Sequence, residues 1–249
     1  MPVVTIRLPL FPLDSVLFPG LVLPLNVFEE RYRAMMRELL KTPEEEGRRF
    51  AVVAIRDGSE VAPSAPGLPD QTAVPEHGPA AGFGPDPAKA FHTMGCVADA
   101  TTIRERDDGG FEVLATGTSR VRIRSVDASG AFLTAEVEEV PEEPGEEAGP
   151  LAEGVLRAFR SYQKRLAGAR ERSLSNTGAE LPDEPSVVSY LVAAATVLDT
   201  PTKQRLLEAA DVAARLRDEL ALLRSETAII RNLPSLPALD LTRGTTSLN

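Results

Sequence analysis

Apolar residues fall in short blocks over residues 1–140 and at intervals of three and four from 151 onward, so the chain divides into a strand-rich half and a helical half. The opening block, LPLFPLDSVLFPGLVLPLNVFEERY from Leu8 to Tyr32, is apolar enough for a signal peptide or a membrane span. It lacks the basic start and small-residue cleavage site of the first and the roughly 20 helical apolar residues of the second. Pro9, Pro12, Pro19 and Pro24 each remove an N–H that a helix interior uses, and they bias their predecessors toward extended backbone. The block therefore reads as two short strands, Ser15 to Phe18 and Leu21 to Leu25, separated by Pro19-Gly20, a pair suited to a type II turn. Asn26 with Glu29 gives an N-x-x-E capping box, and Val27, Phe28, Tyr32, Met35, Met36 and Leu39 recur at helical spacing, which predicts a helix capped at Asn26.

Further strands are predicted at Phe50 to Ile55 (FAVVAI), at GCVADATTIRE and at FEVLATG, the last two joined by a hairpin turn at Asp107-Asp108-Gly109-Gly110. Between the first and second of these, residues 57–89 are dense in Pro, Gly and Ala and bury too little to offset the entropy of ordering, so they read as a long flexible insertion. A second hairpin follows: Arg120, Arg122 and Arg124 alternate with Val121 and Ile123, as Thr134, Glu136 and Glu138 do with Leu133, Ala135 and Val137. Pairing Arg120 with Glu138, Arg122 with Glu136 and Arg124 with Thr134 would reconcile charge with burial. The acidic, aperiodic PEEPGEEAGP at 141–150 reads as a solvated linker between two units. Helices are then predicted from Leu151, from a cap at Asp183, from Thr200-Pro201 and from Asp211, giving a helical bundle over 151–232 and a Pro-rich tail over 233–249.

Charge and cysteine content narrow the function. A formal charge of −10 on 249 residues argues against a general binder of nucleic acid or anionic membrane, whose contacts neutralise phosphate. A single cysteine excludes an internal disulfide, so the expected location is the cytoplasm.

The opening block and MGCVADATTIRERDDGGFEVLATGTSRVRI together resemble the amino-terminal substrate-recognition domain of the Lon protease family, and the helical half is similar in layout to that family's bundle. The resemblance spans nearly the whole chain. It implies an α+β protein, a PUA-like β pseudobarrel over 1–140 followed by an all-α bundle, that binds unfolded or partner polypeptides, presents or sequesters them, and works beside a protease or chaperone. Full Lon proteases add an ATPase and a Ser-Lys peptidase. This sequence ends before either could start and contains no G-x-x-x-x-G-K-[ST] phosphate loop, so the expectation is a freestanding form that is not an enzyme.

Catalytic candidates are weak. Cys96 with His92 or His77 as its base sits in an alternating apolar run, where a small buried residue is the simpler reading. His77, His92 and Cys96 fall short of the four fixed ligands of structural zinc, so no metal or cofactor site is expected. The lysines, Lys41, Lys89, Lys164 and Lys203, offer no evident serine partner. Arg120, Arg122 and Arg124 could form an RNA-binding strand face, as in other PUA domains, but acidic partners across the hairpin are the favoured explanation. For peptide binding, the candidates are Phe18 and Leu21 at the Pro-Gly turn and Phe83 and Phe91 around the insertion.

Overall fold

A computed structural model describes residues 5–56, 78–169 and 182–232. Six strands form the first half: β1 (Thr5–Leu13), β2 (Val22–Val27), β3 (Arg49–Ile55), β4 (Phe91–Glu105), β5 (Phe111–Asp127) and β6 (Thr134–Val140). Five of them close a barrel in the order β1-β3-β4-β5-β6 and back to β1; the β1–β3 contact is parallel and the others antiparallel. Every barrel strand sends residues to the interior, including Leu8 and Leu10, Ala51 and Val53, Val97, Val121, and Ala135 and Val137. The alternate residues Phe11, Phe50, Val52, Cys96 and Ala98 form a second cluster with Met35, Met36 and Leu39 of helix α1 (Glu30–Lys41), which covers the opposite face of the sheet. Strand β3 is thus buried on both faces, which explains why FAVVAI shows no alternation.

The Pro19-Gly20 turn forms as expected. Gly20 has φ +80°, and the Leu21 N–H donates to the Phe18 carbonyl at 3.3 Å. Around it the expectations shift. Ser15 to Phe18 is irregular chain and the preceding strand is β1. Asn26 is a strand residue opposite Glu112, so it caps nothing; α1 starts at Glu30 after an extended Glu29. FEVLATG and SRVRIR belong to one 17-residue strand, β5, whose first part pairs with β2 and whose last part pairs with β6. The hairpin register is displaced by two residues from that expected: Arg122 faces Glu138, Arg120 faces Val140, and a bulge past Ile123 brings Ser125 opposite Glu136. A shift of two leaves every side chain on its own face, so alternation could not detect it. Of the 57–89 segment, residues 57–77 lie outside the described residues; 78–89 are turns leading into a short 3-10 helix, Pro87–Ala90.

The second half contains α2 (Ala148–Ala169), α3 (Pro185–Ala195), α4 (Thr200–Leu207) and α5 (Val212–Asn232). Val155, Phe159 and Tyr162 of α2 meet Val188 and Val192 of α3 and Leu216 and Leu223 of α5. Helix α4 is capped by Asp199 rather than Thr200: its carboxylate accepts from the Thr202 N–H at 2.9 Å. The expected cap of α3, Asp183, gives way to Glu184, whose side chain makes no capping bond. No helix among the described residues is long and apolar enough to cross a membrane.

The PEEPGEEAGP segment is no free spacer. The carbonyls of Glu143 and Pro144 accept from the N–H groups of Val212 and Ala213 at 2.9 and 3.1 Å, which binds the segment to the first turn of α5. A fourth apolar cluster, Phe18, Met94, Tyr190, Leu206 and Leu207, lies where barrel meets helices. The tail over 233–249 lies outside the described residues.

Candidate functional site

Beside the first turn of α1 the surface opens into a cleft of about 500 Å³, lined by the end of β1, the end of β2, the start of α1 and the segment 81–83. Phe11, Val27 and Tyr32, all buried, form its floor, and the Phe11 and Tyr32 rings lie 4.4 Å apart. Phe28 stands on the rim at 76% exposure. Large exposed apolar side chains are unremarkable singly, but one at the lip of an aromatic-floored concavity is the usual mark of a recognition surface.

Arg31 holds the far wall. Its Nη1 donates to the carbonyls of Pro79 and Ala81 at 3.3 and 2.5 Å, its Nε and Nη2 engage the Glu29 carboxylate at 3.0 and 2.7 Å, and its guanidinium lies over Tyr32 and Phe83 at 4.7 and 5.0 Å. Burial pushes the Tyr32 phenol up to about 12; Arg31 opposes this, while Glu29 and Asp14 add to it.

Of the four residues expected to bind peptide, Phe83 alone lines this cleft. Phe18 is fully buried against Tyr190, with ring centroids 5.9 Å apart, and Phe91 is 1% exposed beneath Phe83. Both serve packing and present no surface to a ligand. Leu21 is half-buried between two core clusters. Sequence reading missed Phe28, which helical spacing assigned to the core. The signal was its adjacency to Val27: neighbours at the end of a strand point to opposite faces, so one of the two had to face out.

The arginine strand divides three ways. Arg122 is exposed, and Arg124 is ion-paired with Glu138. Arg120 is 2% exposed and forms no basic face at all. It points into the junction between barrel and helices, where Nη1 donates to the carbonyls of Leu207 and Ala209 at 3.0 and 2.6 Å and Nη2 to that of Pro141 at 3.2 Å. Its Nε lies 2.9 Å from Glu142 Oε2, off the line of the N–H, an ionic contact rather than a hydrogen bond. Glu142 also meets Arg215 of α5 at 2.8 Å and accepts from the Tyr190 hydroxyl. Arg215 in turn donates to the Leu206 carbonyl at 2.9 Å, so two arginines satisfy the C-terminal carbonyls of α4.

Cys96 is fully buried and donates to the Val97 carbonyl; burial pushes its thiol up to about 12, the opposite of what a nucleophile needs. Lys203 donates to the Ala194 carbonyl, Lys41 pairs with Glu38 and Lys89 with Asp86. His77 lies outside the described residues. Among the described residues no three His, Cys, Asp or Glu side chains gather as a metal site would require.

Barrel, covering helix and four-helix half have counterparts among known proteins. The chain belongs to the family of the ATP-dependent protease La (LON) substrate-binding domain, whose model matches residues 7–225. It is 27% identical over 214 residues to Lon protease 2 of Syntrophobacter fumaroxidans, covering 84% of this chain and 23% of that protein, and 25% identical over 229 residues to Lon protease of Escherichia coli K12, covering 91% and 26%. The chain thus spans about a quarter of the length of these relatives. Its fold matches the Lon N-terminal domain protein from Xanthomonas campestris (TM-score 0.56, 23% identity, 87% of this chain and 98% of that one) and the N-terminal domain of a Mycobacterium avium complex Lon protease (TM-score 0.56, 20% identity, 89% and 98%).

Proposed function

We propose that this chain is a non-enzymatic recognition module of the cytoplasm that binds unfolded polypeptide in the cleft beside α1 and presents or sequesters it for a protease or chaperone. The observation that carries the reading is Phe28, 76% exposed on the rim of a concavity floored by Phe11 and Tyr32. Membership in a substrate-binding family supports the kind of ligand. Binding would draw on apolar contact and need no turnover, since Cys96 is buried as a thiol and Lys203 is spent on a backbone carbonyl.

A photo-crosslinking amino acid at position 28 tests this. It should label reduced, unfolded casein in a manner competed by unlabelled casein, while the same probe at exposed Glu153 on α2 should not. Equal labelling from both positions, or ATP-dependent casein cleavage abolished by a substitution in this chain, would overturn the reading.

A further inference from the structure

The charged groups of the cleft are not equally free. Arg31, the cation on its wall, is tied to Glu29, to two backbone carbonyls and to two aromatic faces, so it cannot serve as a receptor for an acidic ligand. Glu29 is neutralised by the same pair. Asp14 differs: it lines the cleft, is exposed, and its carboxylate has no hydrogen bond or ion pair with any described residue. Its backbone is nevertheless fixed, because its carbonyl accepts from the Thr200 hydroxyl at 2.8 Å at the start of α4. The cleft therefore presents an apolar, aromatic floor, one uncommitted carboxylate on an anchored backbone, and the exposed ring of Phe28, whose face attracts cations.

We propose that the cleft selects segments in which an aromatic or large aliphatic side chain lies next to a lysine or arginine, the apolar group seated on Phe11 and Tyr32 and the cation held between Asp14 and Phe28. This deepens the polypeptide-binding reading above and rests on it. An acidic neighbour would meet Asp14 as a like charge and would find Arg31 already occupied; the net charge of −10 adds to its exclusion. One partly exposed ion pair and one exposed cation–π contact together correspond to about a three- to tenfold preference.

The experiment uses fluorescein-labelled 15-residue peptides of Gly and Ser carrying two Phe-Lys pairs, two Phe-Glu pairs or two Ser-Lys pairs, with anisotropy read on the full chain at low and high salt. The Phe-Lys peptide should bind about three- to tenfold more tightly than Phe-Glu, the gap narrowing with salt, and Ser-Lys should bind worst. Asp14→Asn, isosteric at an exposed position, should narrow the gap clearly and leave both Phe peptides bound, the remainder coming from Phe28 and the net charge. Equal affinity of the two Phe peptides for the natural chain, or a gap unchanged in Asp14→Asn, would sink the selectivity while leaving polypeptide binding intact. Failure of both Phe peptides to bind, or binding indifferent to Phe28→Ser, would instead remove the cleft reading and this inference with it.

Discussion

Glu219 on α5 is 2% exposed, and neither carboxylate oxygen has a hydrogen-bond partner among the described residues. Burial, the largest influence, holds its carboxyl well above the ordinary 4.5; Asp218 acts in the same direction, and Arg215 acts against them but is already engaged with Glu142, Ser189 and the Leu206 carbonyl. Between the unfolded value and the raised folded one the native state binds the extra proton, so its stability declines as pH rises through that window and the deficit is complete above it. The surrounding side chains, Val192, Ala193, Leu206, Leu222 and Leu223, suit a leucine. Glu219→Leu is expected to stabilise by about 1–3 kcal/mol at pH 4.5, where it removes a protonated but unpartnered carboxyl, and by more at pH 8, where the pH-linked deficit adds to that cost; thermal melts at the two values check this, and an equal gain at both would contradict it. Residues such as Glu219 and Arg120 also mark the limit of reading a sequence. The alternation around Arg120 was plain, but its partners are Glu142 and the carbonyls of Leu207 and Ala209. No local pattern encodes partners that distant. Glu142 itself sat in a segment whose composition announces solvation.

Among elements, β5 does the most. Its Gly117 is where the Pro19-Gly20 turn docks: the Gly20 N–H donates to the Gly117 carbonyl and the Gly117 N–H to that of Leu21, both at 2.8 Å. A Cβ there would lie 2.5 Å from the Phe18 carbonyl oxygen and 3.1 Å from Cys96 Sγ. Gly117→Ala should therefore cost about 1–3 kcal/mol and speed amide exchange at Gly20 and Gly117, whereas a loss of stability with exchange unchanged there would place the strain elsewhere. The turn was legible because proline and glycine dictate its geometry alone. The helix start was not: the capping-box spacing of Asn26 and Glu29 is a local preference of about 1 kcal/mol, and it yielded to six consecutive pairings of β2 with β5.

For the molecule as a whole, the order barrel then helices was readable from the change of period, and the resemblance of the opening block extended it to a fold. The cleft was not readable, because it joins four sequence-distant stretches: the end of β1, the continuous run from the end of β2 into the first turn of α1, Ile55 of β3, and residues 81–83. The closure of the barrel also has a consequence during synthesis on the ribosome. The second part of β1, Leu10 to Leu13, finds its parallel partner in β3 soon after emergence, but Thr5 to Pro9 pairs only with β6, whose first residue is Thr134. At a translation rate of about 5–20 residues per second, that half of the first strand waits about 6–25 s with Ile6 and Leu8 uncovered, longer than the collapse of most chains this size. Nascent chains stalled with β5 outside the exit tunnel but β6 still within should be cleaved by protease near the N-terminus, and those stalled after Val140 has emerged should resist. Equal resistance at both lengths would mean the strand finds a temporary cover, which would make the early chain a substrate for holding factors of the cell before it could act on any polypeptide itself.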